Sequence, residues 1–249
     1  MSRKYTHNLP NSQRMQNLQY AADRLQQVRH RIAQAEQCAG RTPDSVRLIG
    51  ASKKQTAELL KAFCQNGLSD LGENYLQEAL DKKEELTGFS VNWHFIGAIQ
   101  SNKTALIARN FDWVHSVDRQ KIARRLAEQF TSTEVLPKLN ILLQINLDNE
   151  DTKAGITAQS IRPTLESIQG FSNIDCRGFM LIPAPRDSAL EQRKIFATAR
   201  SLLEDTNQEF GLQMDSLSMG MSNDLEAAIA EGSTMIRIGT DLFGARPAS

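Results

Sequence analysis

The groups in this 249-residue chain best suited to chemistry are a lysine at the end of an apolar run and two small-residue segments far downstream. The lysine is Lys53, which ends the strand-like run Val46 to Ser52, and the segments are Leu217-Ser218-Met219-Gly220-Met221-Ser222 and Arg237-Ile238-Gly239-Thr240. Ser218, Ser222 and Thr240 supply hydroxyls, while Gly220 and Gly239 let backbone N–H groups approach an anion with no Cβ in the way. An amine facing such a cradle is what covalently held pyridoxal 5'-phosphate (PLP) requires: the aldehyde forms a Schiff base with the lysine and the phosphate anchors the other end. Taken alone, the two loops fit ordinary turns and caps equally well, and Lys53 fits a solvated pair with Lys54.

Strand alternation places Lys53 on the side of Ile49 and Ala51 and Lys54 on the other, so only one of them faces inward, and periodicity does not choose between them. The inward lysine would lose hydration beside a second cation, and both effects lower its pKa toward the free amine. Arg237 sits on an otherwise apolar strand. Its guanidinium either forms a buried salt bridge or donates to the pyridine nitrogen of a cofactor, which would leave that nitrogen unprotonated and the ring a poor electron sink.

A scaffold must bring these distant segments together. Leu18, Leu25 and Ile32, interleaved with Ala21, Val28 and Ala35, predict an amphipathic helix over 12–40, packed on the outside of the rest of the fold and preceded by a polar arm, 1–11. Strand-like runs come next at Val46 to Ala51, Leu68 to Leu71, Asn92 to Ile96, Trp113 to Val117, Leu139 to Leu147, Cys176 to Ile182, Ser216 to Met219 and Met235 to Ile238. Helical patterns lie between most of them: Thr56 to Gln65 ending at Gly67, Arg119 to Phe130 after an Asp118 cap, and Ser188 to Phe210 ending at Gly211. Asn223 with Glu226 three residues on has the spacing of a capping box for a helix Asp224 to Glu231. About eight strand–helix units predict an α/β fold, a single (β/α)8 TIM-type barrel with an added N-terminal helix, in one domain over 12–249. Such barrels place functional groups at the C-terminal strand ends and bind phosphates after the seventh and eighth strands, where the two loops fall.

Composition narrows the function classes. Lysine plus arginine (29) balance aspartate plus glutamate (29), so no global field favours nucleic acid or an acidic membrane surface. No apolar stretch approaches the ~20 residues of a membrane span, and the polar, basic start predicts neither export nor insertion. The three cysteines, Cys38, Cys64 and Cys176, lack metal or disulfide spacing and read as thiols of a reducing cytoplasm. His94 and His115 could form an acid/base pair at neighbouring strand ends, but four scattered histidines more often serve structural hydrogen bonds, and no metal is expected. Lys153 is a candidate second amine to receive or release the cofactor, against the plain alternative of a solvated loop lysine. Trp93 and Trp113 are expected in the core or at the barrel rim.

Several blocks resemble the pyridoxal phosphate homeostasis proteins: Gly50-Ala51-Ser52-Lys53, Leu71-Gly72-Glu73-Asn74-Tyr75-Leu76-Gln77-Glu78, Trp93-His94-Phe95-Ile96-Gly97 through Lys103, Gln144-Ile145-Asn146, Lys153-Ala154-Gly155-Ile156, Ser218-Met219-Gly220-Met221-Ser222, and Gly232 through Arg246. They run in family order across nearly all of the chain from Val46 onward. The resemblance implies a barrel like the N-terminal domain of bacterial alanine racemase, with Lys53 as the Schiff-base lysine. It also implies phosphate contacts from Ser218, Gly220, Gly239 and Thr240, Arg237 at the pyridine nitrogen, and Asn74 near the ring. Two departures stand out: Gly50-Ala51 replaces a bulkier pair such as Ala-Val, and Lys54-Gln55 stands where Thr-Lys is common. These changes are expected to loosen packing around the imine.

The function these features imply is a cytoplasmic, non-catalytic PLP-binding protein that holds the cofactor on Lys53 and helps keep free PLP low, with apo PLP enzymes as possible recipients. The competing enzyme is a PLP-dependent amino-acid racemase on the same barrel. Racemisation needs two bases, and in the alanine racemase family the second is a tyrosine from a further domain of the partner subunit. With the chain ending at Ser249 and only Tyr5, Tyr20 and Tyr75 present, neither that base nor a dimerising domain is expected, which favours a monomer. A third class, a phosphate-binding barrel enzyme without PLP, fits the loops but leaves Lys53 unexplained.

Overall fold

The computed structural model describes residues 10–130, 138–148, 154–186 and 188–245. A long helix, α1 (Asn11–Cys38), leads into β1 (Arg47–Ala51), α2 (Ala57–Gln65), β2 (Asp70–Glu73), α3 (Leu76–Glu85), β3 (Asn92–Phe95), α4 (Thr104–Asn110), β4 (Trp113–Val117) and α5 (Gln120–Gln129). The chain continues through β5 (Leu139–Gln144), α6 (Ala158–Glu166), β6 (Ile174–Met180), α7 (Ala189–Phe210), β7 (Ser216–Ser218), α8 (Leu225–Ala230), β8 (Met235–Ile238) and α9 (Thr240–Phe243). The strands form a closed barrel in sequence order, and every adjacent pair is parallel, including β8 against β1.

Each predicted strand-like run contains or overlaps one strand of the barrel. β2 and β6 are each displaced by two residues, β6 toward the N-terminus and β2 away from it, the latter because Leu68 and Ser69 precede the ladder and the first pair with β3 is Asp70 with Asn92. The helix caps depart further from expectation. Thr56 and Ser188 do accept from the backbone of Leu59 and Glu191, and Gly211 ends α7 in the left-handed region at φ 63°. The expected Asp118 cap is not made: Arg119 occupies the N-cap position of α5 without a side-chain cap, and its guanidinium engages both Asp118 oxygens at 2.8 and 2.9 Å. The expected Asn223/Glu226 box is also absent. Asp224 occupies the cap position of α8 and accepts from the Met221 N–H at 2.6 Å, while Glu226 points to Arg31 of α1.

Two apolar layers share the burial. The larger lies between sheet and helices and includes Leu60, Phe63, Leu71, Trp93, Val114, Leu126, Phe179, Phe196 and Ile238. A smaller cluster, Ile49, Trp113, Leu142, Met180 and Met235, fills part of the barrel interior. Burying such side chains contributes about 1.5–3 kcal/mol each. The helix α1 lays Leu25, Val28 and Ile32 against the barrel wall beside α2, α8 and α9, over the β8–β1 seam. Its Glu36 accepts from the Val46 N–H at 2.8 Å and the Ser45 hydroxyl at 3.1 Å, fixing the entry to β1.

Candidate functional site at the barrel mouth

At the C-terminal end of the barrel lies a cavity of about 430 Å³ whose wall includes Lys53, Asn74, Ser222, Arg237, Gly239 and Thr240. Five of the seven sequence-predicted site residues therefore meet on one surface. Ser218 and Gly220 do not line it. A larger groove, about 740 Å³, runs at the opposite end between α1 and the starts of β1 and β2, and none of the predicted site residues borders it.

The choice between the two lysines is made by the turn after β1. Ile49 points into the interior cluster and Ala51 and Lys53 continue that face to the cavity, whereas Lys54 turns outward with φ 63°. A non-glycine residue in the left-handed region is uncommon and needs support. That support is a buried cluster: Lys82 of α3 donates to the Ser52 carbonyl (2.7 Å), Glu73 (2.6 Å) and Glu78 (2.7 Å), and Glu78 accepts the Lys54 N–H. The Ser52 hydroxyl donates to Glu73 at 2.6 Å. Burial pushes the Glu73 carboxyl above its usual range, against the lowering pull of Lys82 and Ser52. Glu73, Glu78 and Lys82 were not singled out from sequence; the i,i+4 spacing of Glu78 and Lys82 was the available signal.

Asn74 is fixed by backbone contact. A Cβ on Gly97 would lie 2.1 Å from the Asn74 carbonyl oxygen, so the loops after β2 and β3 can pass this closely only with glycine there. The Asn74 Oδ1 atom is buried and has no hydrogen-bond partner. A second expectation changes at Gly50: a Cβ there would come within 2.9 Å of both Leu68 and Phe243. The space of a bulkier residue is already filled, so this departure does not loosen the packing behind the lysine.

Arg237 is almost completely buried and forms no ion pair among the described residues, so the salt-bridge alternative is not realised. It donates to the Ser218 carbonyl and hydroxyl, both at 2.7 Å, and to the Leu181 carbonyl at 3.0 Å. Burial, opposed by Asp224, pushes its pKa down to about 10, which leaves it charged at neutral pH. Behind it runs a line of buried polar groups: the Ser218 hydroxyl lies 2.9 Å from His115 Nδ1, His115 Nε2 lies 2.9 Å from His94 Nδ1, and His94 Nε2 lies 3.0 Å from Asp70.

Burial drives both histidines below their usual pKa, with Asp70 opposing at His94, while at His115 a proton on His94 would add to the burial, as do the cations Arg237 and Arg47. Burial alone would raise Asp70, but hydrogen bonds from His94 and Ser69 and the charge of Arg47 outweigh it and hold it below the usual carboxylate range. With both rings neutral, the proton positions are determined: arginine only donates and an ionised carboxylate only accepts, so every donor points from Arg237 toward Asp70. His94 and His115 are thus structural members of one chain that orients Arg237.

The loop after β7 places Ser222 on the cavity, while Ser218 is wholly buried with its hydroxyl committed to Arg237 and His115. Gly220 has φ 96° and a Cβ there would lie 2.6 Å from that of Ala228, so it shapes the loop from behind. Lys153 and Tyr5 lie outside the described residues. Trp93 and Trp113 are both core residues, in the outer and inner layers respectively. All three cysteines are free, and burial pushes the Cys64 thiol up to about 11 and Cys176 up to about 12, so neither of these two is a ready thiolate. Among the described residues no helix is long and apolar enough to cross a membrane, and no group of three or more metal-ligating side chains gathers.

Residues 24–247 match the family described as alanine racemase, N-terminal domain. A relative from Pseudomonas aeruginosa named pyridoxal phosphate homeostasis protein is 49% identical over 225 residues, covering 90% of this chain and 95% of its own. The chain belongs to that family. The Escherichia coli K12 protein of the same name is 40% identical over 228 residues, covering 90% of this chain and 96% of its own. Among solved structures, PipY of Synechococcus elongatus, determined with PLP bound, is 35% identical, with a TM-score of 0.78 over 90% of this chain and all of its own. Alanine racemase from Corynebacterium glutamicum, 19% identical, shares the fold with a TM-score of 0.67, over 92% of this chain and 61% of its own.

Proposed function

We propose that this protein binds PLP at the barrel mouth, holds it on Lys53, and serves intracellular PLP homeostasis as a carrier without substantial turnover. The observation that carries the proposal is the meeting of Lys53, Arg237, Gly239 and Thr240 on one cavity of about 430 Å³, a volume suited to a small cofactor. The residues fit the group. The unpartnered Asn74 Oδ1 is a polar atom that a ligand would satisfy, and the buried guanidinium of Arg237 is a fixed donor for a ring nitrogen. Lys53 would hold PLP through its amine, and the chemistry the cofactor would supply there is that of an aldehyde able to condense with a primary amine with loss of water.

In this reading Ser222, Gly239 and Thr240 face the phosphate, and Gly220 shapes the loop that carries Ser222. Ser218 acts indirectly by holding Arg237. An arginine that keeps its proton leaves the ring nitrogen unprotonated, and a ring in that state withdraws electrons poorly, which favours storage over carbanion chemistry. The names of the relatives support the homeostatic role, and PipY with PLP bound supports the ligand. The proposal extends to a monomer that passes PLP to apo PLP enzymes in a reducing cytoplasm.

Adding PLP to the protein, reducing with borohydride and mapping the peptides tests the ligand and the amine together. The expected label is on Lys53, and a Lys53→Ala variant loses the visible absorbance band. No band in the wild type would reject PLP binding. Incubating the PLP-loaded protein with single-enantiomer amino acids in deuterated water separates carrier from racemase: sustained α-deuterium incorporation over many turnovers would defeat the carrier assignment.

A further inference from the structure

The helix α1 reaches the barrel mouth through Arg31. Arg31 donates from Nη1 to Asp241 at 2.7 Å, from Nη2 to the Ser222 carbonyl at 2.9 Å, and from Nε to Glu226 at 3.0 Å. These acceptors belong to the two segments that border the cavity on its anion side: Ser222 lies in the loop after β7, Glu226 in α8 directly behind it, and Asp241 comes directly after Gly239 and Thr240. The planar fork of arginine, with donors fixed in direction, is suited to bridging three acceptors at once.

We propose that Arg31 is a positioning residue of the anion cradle, holding the loops after β7 and β8 at a fixed separation and cancelling carboxylate charge beside them. The inference rests on the assignment of those loops to the phosphate. Two carboxylates, Glu226 and Asp241, flank the cradle, and Asp224 also lines the cavity. Without a cation between them, Glu226 and Asp241 would repel each other and an incoming phosphate. Arg31 supplies that cation and, through the Ser222 carbonyl, ties it to the loop backbone. The helix is thereby a working part of the site.

The test compares the affinities of PLP and of pyridoxal, which lacks the phosphate, for the full chain, the Arg31→Met variant and the Arg31→Lys variant. In Arg31→Met, PLP binding is expected to weaken about tenfold, the scale of one charge-assisted contact, with pyridoxal binding changed by less than about twofold. Arg31→Lys keeps the charge but not the fork and is expected to fall between. An equal loss for both ligands, or no loss for either, would overturn the inference, since Arg31 would then act on the whole fold or not at all. If Arg31→Met does not fold, the Lys variant and Glu226→Gln carry the same comparison through a milder break. Failure of the wild type to prefer PLP over pyridoxal would instead overturn the phosphate assignment itself, so the two failures are distinct.

Discussion

Replacing His115 with leucine tests the directed chain behind Arg237. The ring lies wholly inside the barrel and bridges the Ser218 hydroxyl and His94, each at 2.9 Å. Leucine conserves most of the volume but leaves the Ser218 proton and His94 Nδ1 without partners, both on residues with no exposed surface. Each orphan costs about 1–3 kcal/mol, and the added apolar burial returns part of it, so a net loss of about 2–4 kcal/mol is expected. That is a large share of the roughly 5–15 kcal/mol that holds a typical domain together. Ser218→Ala removes one donor and leaves Arg237 its bond to the Ser218 carbonyl, so about 1–3 kcal/mol is expected. The double variant should lose less than the sum, because the serine orphan created by the first change no longer exists. Urea unfolding with an unchanged m-value measures all three. Strict additivity, or a His115→Leu loss under about 0.5 kcal/mol, would show that the hydrogen bonds do not form a coupled chain.

Three more outcomes are expected from the same site. Both interior histidines are held neutral in the folded state, so the unfolded chain binds more protons below their ordinary value; stability is full above pH ~6.5, falls as the pH drops below it, and His115→Leu should flatten that slope, as calorimetry at stepped pH would show. Lys82→Met strands Glu73 in the interior, with an expected cost of about 3–5 kcal/mol that a second change, Glu73→Gln, should largely recover; no recovery would remove the pair from the account of the Lys53 turn. Gly97→Ala pushes a methyl into the Asn74 backbone at 2.1 Å, and a thermal melt should show a loss of about 1–3 kcal/mol with weaker PLP uptake, whereas a silent change would mean the two loops move apart freely.

The order of strands and helices was legible because burial imposes a period on each element, and the parallel alternation of the two types limits how they can close. The lysine at the end of the first strand and the glycine-bearing loops at the end of the chain were visible for the same local reason: backbone geometry and residue type fix what they can offer. The side on which each lysine lies depended on the turn clamped by Lys82 and Glu78, which are contributed by another element. A hydroxyl beside glycines suits an anion, which is the expectation for Ser218; what sequence could not show is that the closed barrel also sets this hydroxyl against His115 and Arg237, residues from strands far apart in the chain. The same closure gives α1 its contact with the mouth, since Arg31 meets Asp241 only when the last strand pairs with the first.

Periodicity and side-chain chemistry along the chain thus determined the architecture and the pair of lysines from which one faces the barrel mouth. Which polar groups face the cavity and which are consumed in holding one another was decided only by the tertiary structure. The physical reason is that a buried polar atom must find a partner wherever folding brings one, and sequence distance carries no information about that pairing.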